Sequence, residues 1–289
     1  MKKINSLILL IILLLTAACS SKNNVDDEGI IVAFFYGWSN CDLTYIDPEI
    51  GVVKTTPLSR HANGLSYLPQ KQLFVYASGG SLFLYDIVSD QESELFQTHP
   101  MPSSPVWSPD GKQIAFAKIY DQNVDLFIYD VDTKEISSLA KNSQFYMFPQ
   151  DWSKDNKQIL LRSGILSEEN EYGNFVTLFS TDKKTKNDIY QFPETSFAHF
   201  LQFSPDEKII LMGIAQPSDI TLFDIEKKQR IELPNIPKES TSPVWSPDGE
   251  KIAYIHDNKI FTYTLNTGEI TQLEVPEDNY SILLWIEKP

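Results

Sequence analysis

The sequence is poor in cysteine and histidine and lacks the common catalytic motifs. Its 289 residues include two cysteines, Cys19 and Cys41, and four histidines. No Gly-x-Ser-x-Gly motif marks a nucleophilic serine, and there is no His-Glu-x-x-His, calcium-loop or glycine-rich phosphate-binding motif. The sequence therefore indicates no serine hydrolase, metalloprotease or nucleotide-binding site, and we expect no cofactor and no metal.

Basic residues are also scarce. The chain has 24 Lys and Arg against 39 Asp and Glu, a formal net charge of −15. Nucleic acids and anionic lipid surfaces are bound through Lys and Arg contacts to phosphate, so the composition argues against a nucleic-acid partner. The acidity is compatible with a basic protein partner, and equally with a role in solubility alone.

Only one long apolar run is present, and it lies at the N-terminus. Lys2 and Lys3 precede an unbroken apolar stretch, residues 7–15, and three small residues follow. A membrane-spanning helix needs about 20 apolar residues. The run is shorter than that, so residues 1–18 are predicted to be a secretory signal peptide.

Cys19 follows this segment directly. Leu15-Thr16-Ala17-Ala18-Cys19 resembles a bacterial lipobox, which implies that Cys19 is lipidated and becomes the mature N-terminus. The polar residues 19–29 would then be a flexible tether. The protein would sit at the outer membrane or periplasmic side in a Gram-negative cell, and on the outer face of the cell membrane otherwise. The alternative is an ordinary signal peptide cleaved near Ala18, with Cys19 a free thiol.

The strongest internal signal is a repeat. Trp-Ser-Pro-Asp-Gly occurs at Trp107–Gly111 and Trp245–Gly249, and weaker copies place an aromatic residue before a turn at four other points. The full series is Tyr67, Trp107, Trp152, Phe203, Trp245 and Trp285. The spacing between successive members is 40 to 51 residues, which is typical of β-propeller blades.

Each repeat predicts four strands. Ser-Pro-Asp-Gly suits a type I turn between strands one and two, and two apolar runs and a more polar fourth run follow. Residues 30–289 are therefore predicted to form an all-β, six-bladed propeller of four-stranded antiparallel blades. Trp285 lies in a first strand with no partner after it, whereas residues 30–55 contain strands two to four. We expect the N-terminal strands to pair with the C-terminal strand and close the ring.

The repeat resembles the TolB-like six-bladed propellers with their WD-like motif. That family includes partner-binding periplasmic proteins and the propeller domains of prolyl oligopeptidase-type peptidases. The resemblance implies the fold and leaves the role open.

The loops of a propeller carry its functional differences. One end of the ring holds the segments that enter each first strand and those between strands two and three. The aromatic and basic residues predicted on this face are Trp38, Arg60, His61, Tyr120, Tyr146, Tyr172, His199 and Tyr280. The long acidic loop Ser163–Asn174, which contains Tyr172, is a further candidate contact.

Two functions remain open. The first is a non-catalytic, lipid-anchored binding or scaffold protein of the cell envelope, which uses the propeller face for protein partners. The second is an envelope enzyme, a glycan lyase or hydrolase or a peptidase relative, with its site at the channel mouth. The second requires His61, His199, His256 and Arg60 to converge.

Overall fold

The computed structural model describes residues 29–36, 41–120, 123–141, 145–165, 174–193, 196–215, 219–276 and 280–288. These residues form 24 β-strands and one short 3₁₀ turn, Pro69–Lys71. No helix in these ranges is long and apolar enough to cross a bilayer. Cys19, Trp38 and Tyr172 lie outside the described residues.

The strands follow the repeat, four to a unit. Units one and two comprise β4 (Asn63–Leu68), β5 (Leu73–Ser78), β6 (Ser81–Asp86), β7 (Gln91–Gln97), then β8 (Pro102–Trp107), β9 (Gln113–Ile119), β10 (Val124–Asp130), β11 (Ile136–Ala140). Units three and four comprise β12 (Phe145–Trp152), β13 (Gln158–Ile165), β14 (Phe175–Ser180), β15 (Thr185–Gln191), then β16 (Phe197–Phe203), β17 (Ile209–Ala215), β18 (Asp219–Asp224), β19 (Gln229–Glu232). Unit five and the terminal unit comprise β20 (Thr241–Trp245), β21 (Lys251–His256), β22 (Lys259–Thr264), β23 (Ile270–Gln272), then β24 (Tyr280–Ile286), β1 (Ile30–Tyr36), β2 (Cys41–Asp47), β3 (Gly51–Leu58).

Neighbouring strands within each unit are antiparallel. Units one, four and five and the terminal unit are four-stranded sheets, and units two and three share an eight-stranded sheet. The shared sheet is joined by a single parallel pair, Val124 with Tyr146. In the terminal unit the order is β24-β1-β2-β3, with Ile31 opposite Trp285 and Ala33 opposite Leu283. The predicted all-β architecture of four-stranded antiparallel blades is confirmed.

The turn between strands one and two has the same hydrogen bonds in four units. The fourth residue donates its N–H to the serine carbonyl, as in Gly111 to Ser108 (2.9 Å), which is the pattern of a type I turn. Each serine hydroxyl donates to the aspartate two residues later: Ser108–Asp110 (2.7 Å), Ser153–Asp155 (2.7 Å), Ser204–Asp206 (2.7 Å) and Ser246–Asp248 (2.6 Å). Serine and aspartate in the repeat are thus structural residues.

The hydrophobic core is divided among the interfaces between units. Among the described residues, its seven clusters each join two successive units, for example Val75 and Leu82 of unit one with Phe116 of unit two. One of them joins unit five to the terminal unit, and another joins the terminal unit to unit one. Alternate residues of one strand face opposite interfaces: Ile31 packs toward unit five, and Val32 toward unit one. This is the period of two expected for a strand buried on both faces.

Polar side chains also join successive units. The residue before the repeated aromatic accepts the backbone N–H of the next unit's aromatic: Ser66 Oγ from Trp107 (3.1 Å), Asp151 Oδ2 from Phe203 (2.8 Å) and Gln202 Oε1 from Trp245 (3.0 Å). Unit two has Val106 at this position, which offers no acceptor to Trp152. Asp151 accepts that N–H as well, through Oδ1 (2.7 Å).

We expect the Gln202→Leu variant to lose about 1 to 3 kcal/mol of unfolding free energy, because leucine leaves the Trp245 N–H without its acceptor between two units. Gln202→Glu retains a side-chain acceptor and serves as the matched control. Urea denaturation of both variants measures the difference. Equal losses in the two variants would show that the hydrogen bond does not account for the effect.

Candidate functional site

The two ends of the molecule differ in their connections. Strands in each unit alternate in direction, so the turns between strands one and two and between strands three and four lie at one end. We call this the turn end. The connections between strands two and three and the segments that enter each first strand lie at the opposite end, the loop end.

A central cavity of about 360 Å³ lies toward the turn end. Residues from all six units line it, and most of the repeated aromatics are among them: Tyr67, Trp152, Phe203, Trp245 and Trp285, with Val106 from unit two. Gln150, Gln202, Lys154 and Glu207 add polar groups. The repeated aromatics, which the sequence predicted as framework residues, therefore also line this central cavity.

Asp151 is the most perturbed ionisable group of this cavity. It is partly buried where it lines the cavity, and its two oxygens accept the N–H groups of Trp152 and Phe203. Burial raises the pKa of Asp151 to about 7; the two N–H donors oppose this rise, and the charge of Glu207 adds to it. Both oxygens are engaged by the backbone, so the arrangement indicates a joint between units three and four.

At the loop end, Arg60 and His61 are exposed and lie beside Glu94 and Gln97 in a shallow depression. The Arg60 guanidinium stacks on the Phe83 ring at 4.5 Å and donates to Ser59 Oγ (2.8 Å). Both predicted residues are therefore accessible on this face.

The tyrosines are less accessible than the sequence suggested. Tyr120 is partly buried, and burial raises its pKa. Tyr280 is 8% exposed and donates to the Pro276 carbonyl (3.0 Å), and Tyr146 is 1% exposed. We expected Tyr146 and Tyr280 to face a partner directly. The structure corrects this placement, because both residues belong to strands and their rings are buried in the protein.

Between units three and four lies a group of side chains whose proximity the sequence did not predict. We call Tyr146, Phe148, Arg162, Phe197 and His199 the mouth cluster. Arg162 projects from β13, stacks on Phe148 at 4.6 Å and donates through Nη1 to the Ala198 carbonyl of unit four (3.3 Å). His199 is exposed and meets the Phe197 ring edge to face, with centroids 4.8 Å apart.

The mouth cluster is electrostatically unusual. Burial lowers the pKa of Arg162, and it raises the pKa of Tyr146. The pKa of His199 is lowered by desolvation first and by the nearby Arg162 charge second. The sequence contained one signal for this site, an arginine directly after the apolar run Ile159-Leu160-Leu161 in a central strand.

His199 and His256 lie in different surroundings. His199 contacts Phe197, whereas His256 lies near Ser240, Asp257 and Phe261 in unit five. Across the described part of the chain, no group of three or more His, Cys, Asp or Glu residues is arranged to hold a metal ion. The enzymatic alternative requires His199 and His256 to converge, and none of the contacts described for these two residues joins them.

Comparisons with known sequences point to one group of proteins. A model of the dipeptidyl peptidase IV N-terminal region matches residues 215–281. The Tol-Pal system protein TolB of Francisella tularensis subsp. mediasiatica (strain FSC147) is 26% identical over 202 residues, covering 63% of this chain and 42% of that protein. The chain thus spans about two fifths of the length of the curated relatives it matches.

Solved structures agree on the fold. TolB from Acinetobacter baumannii superposes with a TM-score of 0.72 at 15% identity, covering 91% of this chain and 68% of that one. An oligogalacturonate lyase in complex with manganese gives a TM-score of 0.55 at 12% identity, covering 86% and 79%. The repeat, the four-stranded units and these similarities agree: the chain has a β-propeller fold similar to that of TolB.

Proposed function

We propose that this protein is a non-catalytic, lipid-anchored protein of the cell envelope that binds a protein partner through its loop end. The similarity to a Tol-Pal system protein supports an envelope role. The mouth cluster and the accessible Arg60 and His61 give the loop end aromatic and basic groups, which are enriched at protein interfaces. The anchor at Cys19 and the partner are parts of this proposal.

We also infer a closed ring of six blades. The eight-stranded sheet consists of two four-stranded units joined by one parallel pair, and β24 pairs with β1. Hydrophobic clusters fill the interfaces around the whole series, including the one from unit five to the terminal unit. Residues from every unit line one central cavity. Each of these observations supports the ring.

The observation that carries the functional proposal is the position of Gly29, the residue before β1. Gly29 lies at the turn end against Pro247 and Trp285, and a Cβ there would overlap the Ile286 carbonyl oxygen. A tether that leaves from Gly29 to a lipidated Cys19 would hold the turn end toward the membrane. The exposed side chains of Ile50 and Val88, 77% and 75% accessible, belong to turns at this same end. The loop end would then face away from the membrane, toward soluble partners.

Photo-crosslinking distinguishes the two ends. A benzophenone amino acid at His61 or His199 is expected to crosslink a defined protein in membranes solubilised with mild detergent. The same probe at Ile50 or Val88 is expected to crosslink lipid, because the tether holds that end at the bilayer. Mass spectrometry of the crosslinked products identifies protein and lipid adducts.

The Cys19→Ala variant is the control for the anchor. It should lose the lipid adducts at Ile50 and Val88 and retain the protein adducts at His61 and His199. Protein adducts at the turn end with none at the loop end would contradict the proposed binding face. Lipid adducts that persist in Cys19→Ala would contradict the anchor.

A further inference from the structure

Arg162 has an incomplete set of partners. Its Nη1 donates to the Ala198 carbonyl, while its Nε is enclosed and has no hydrogen-bond acceptor. In the described part of the chain no carboxylate lies within ion-pair distance of Arg162. Burial lowers its pKa, and Tyr146 opposes this. Buried charges are normally paired, since an isolated ion loses its hydration. Among the described residues, this guanidinium therefore has no anionic partner.

The neighbours of Arg162 can complete an anion site. The Tyr146 hydroxyl is enclosed beside it without a hydrogen-bond partner. His199 is exposed, and its pKa is lowered partly by the Arg162 charge. Arg162 is only partly buried, and its Nε is enclosed, so its accessible surface lies toward the terminal nitrogens. An anion would approach those nitrogens from the His199 side.

The charge of the cluster selects the kind of anion. Arg162 is its one permanent cation, and the protein as a whole carries a formal net charge of −15. A monoanion balances a single guanidinium, whereas a phosphate dianion would leave negative charge in an acidic protein. The planar guanidinium also matches a carboxylate with two parallel hydrogen bonds. Phe148 stacks on the guanidinium, and Phe197 packs against His199, so both add apolar surface to the cluster.

We propose that the mouth cluster is a carboxylate-binding site in which Arg162 holds the anion and His199 lines its entrance. The carboxylate belongs to a small organic acid or to a polypeptide, as a side chain or C-terminus. The site does not depend on the proposed partner-binding role, because a free acid would satisfy the same groups.

The test is titration of the full-length chain in detergent, with the His199 imidazole observed by NMR. The probes are sodium acetate, acetyl-trialanine with a free C-terminus, the same peptide as its C-terminal amide, and inorganic phosphate. A bound carboxylate should give a saturable shift and raise the pKa of His199, because it offsets the Arg162 charge. The amide peptide should do neither.

Matched variants assign the effect to the cluster. Arg162→Gln should weaken binding of the free-acid peptide at least tenfold. Arg230→Gln should leave it unchanged, because Arg230 lies in β19, outside the mouth cluster, and pairs with Asp219 (3.8 Å). The series is repeated with Glu168, Glu169 and Glu171 changed to Gln, so that the chain's own carboxylates do not compete. Circular dichroism and thermal unfolding verify that each variant folds.

Each outcome decides the question. Saturation by acetate supports a small acid as the source, and saturation by the free-acid peptide alone supports a polypeptide. Equal binding of acid and amide peptides, tighter binding of phosphate, or no saturable shift would overturn the proposal. Equal losses in Arg162→Gln and Arg230→Gln would also overturn it. If Arg162→Gln does not fold, the acid and amide comparison on the wild-type chain still tests it.

Discussion

Raising the pH from 5 to 8 is expected to lower the unfolding free energy of the wild-type protein by about 2 to 3 kcal/mol through Asp151 alone. The pKa of this buried carboxyl is about 7 in the folded protein, against an ordinary value of 3.8. Between these values the unfolded chain releases the proton while the folded chain retains it, so rising pH favours unfolding. Urea denaturation at pH 5, 6, 7 and 8 measures the loss.

The Asp151→Asn variant should lack this pH-dependent loss. It should also be less stable at pH 5 by about 1 to 3 kcal/mol, because the amide nitrogen cannot accept one of the two backbone N–H groups. Asp155→Asn is the control. Asp155 lies in the turn that follows β12. Its pKa is lowered, first because the Ser153 hydroxyl donates a hydrogen bond to it. Its carboxyl is therefore ionised in both the folded and the unfolded protein from pH 5 to 8. A wild-type minus Asp151→Asn difference that does not change with pH would contradict the expectation.

Removal of residues 279–289 is expected to abolish cooperative folding. This deletion takes away β24, with the buried side chains of Tyr280, Leu283 and Trp285. Each large apolar side chain contributes about 1.5 to 3 kcal/mol when buried. The total approaches the whole stability of a typical domain, about 5 to 15 kcal/mol. It would also leave β1 with an unpaired edge. Calorimetry and circular dichroism should show no unfolding transition.

Two controls separate loss of the strand from loss of the chain end. Lys288→Ala removes the ion pair with Asp47 (3.4 Å) and should cost no more than about 1 kcal/mol. A synthetic peptide of residues 279–289, added to the truncated chain, should restore a transition by pairing with β1. Cooperative unfolding of the truncated chain without the peptide would show that β24 is dispensable and would contradict the closed ring.

The framework of this protein was predictable because its signals are local. Ser108, Asp110 and Gly111 act within one turn, and the position of Trp285 showed that β24 needed a partner from the N-terminus. The continuous burial along the middle of β9 and the whole of β17 also follows directly from their apolar residue types. These features depend on neighbours in sequence and on the period of the repeat.

The mouth cluster was not predictable in the same way. Arg162 and His199 meet because β13 of unit three packs against β16 of unit four, a contact that no local pattern encodes. Tyr146 was placed in a surface loop because the first strand was taken to begin later. In the structure β12 begins at Phe145, and Tyr146 is opposite Gly164, so its ring is directed into the protein.

The hydrogen bonds from Ser66, Asp151 and Gln202 limit how the repeat can be rearranged. Each side chain serves the aromatic of the following unit, so units one, three and four carry the acceptor that their successors use. Units two and five carry valine there, Val106 and Val244, and unit two is followed by a unit that supplies its own acceptor. A circular permutation preserves every such pair of neighbours. In a shuffled order, Val106 would precede Phe203 or Trp245, and the backbone N–H of that aromatic would lose its acceptor. The order of the blades is therefore part of what the sequence specifies.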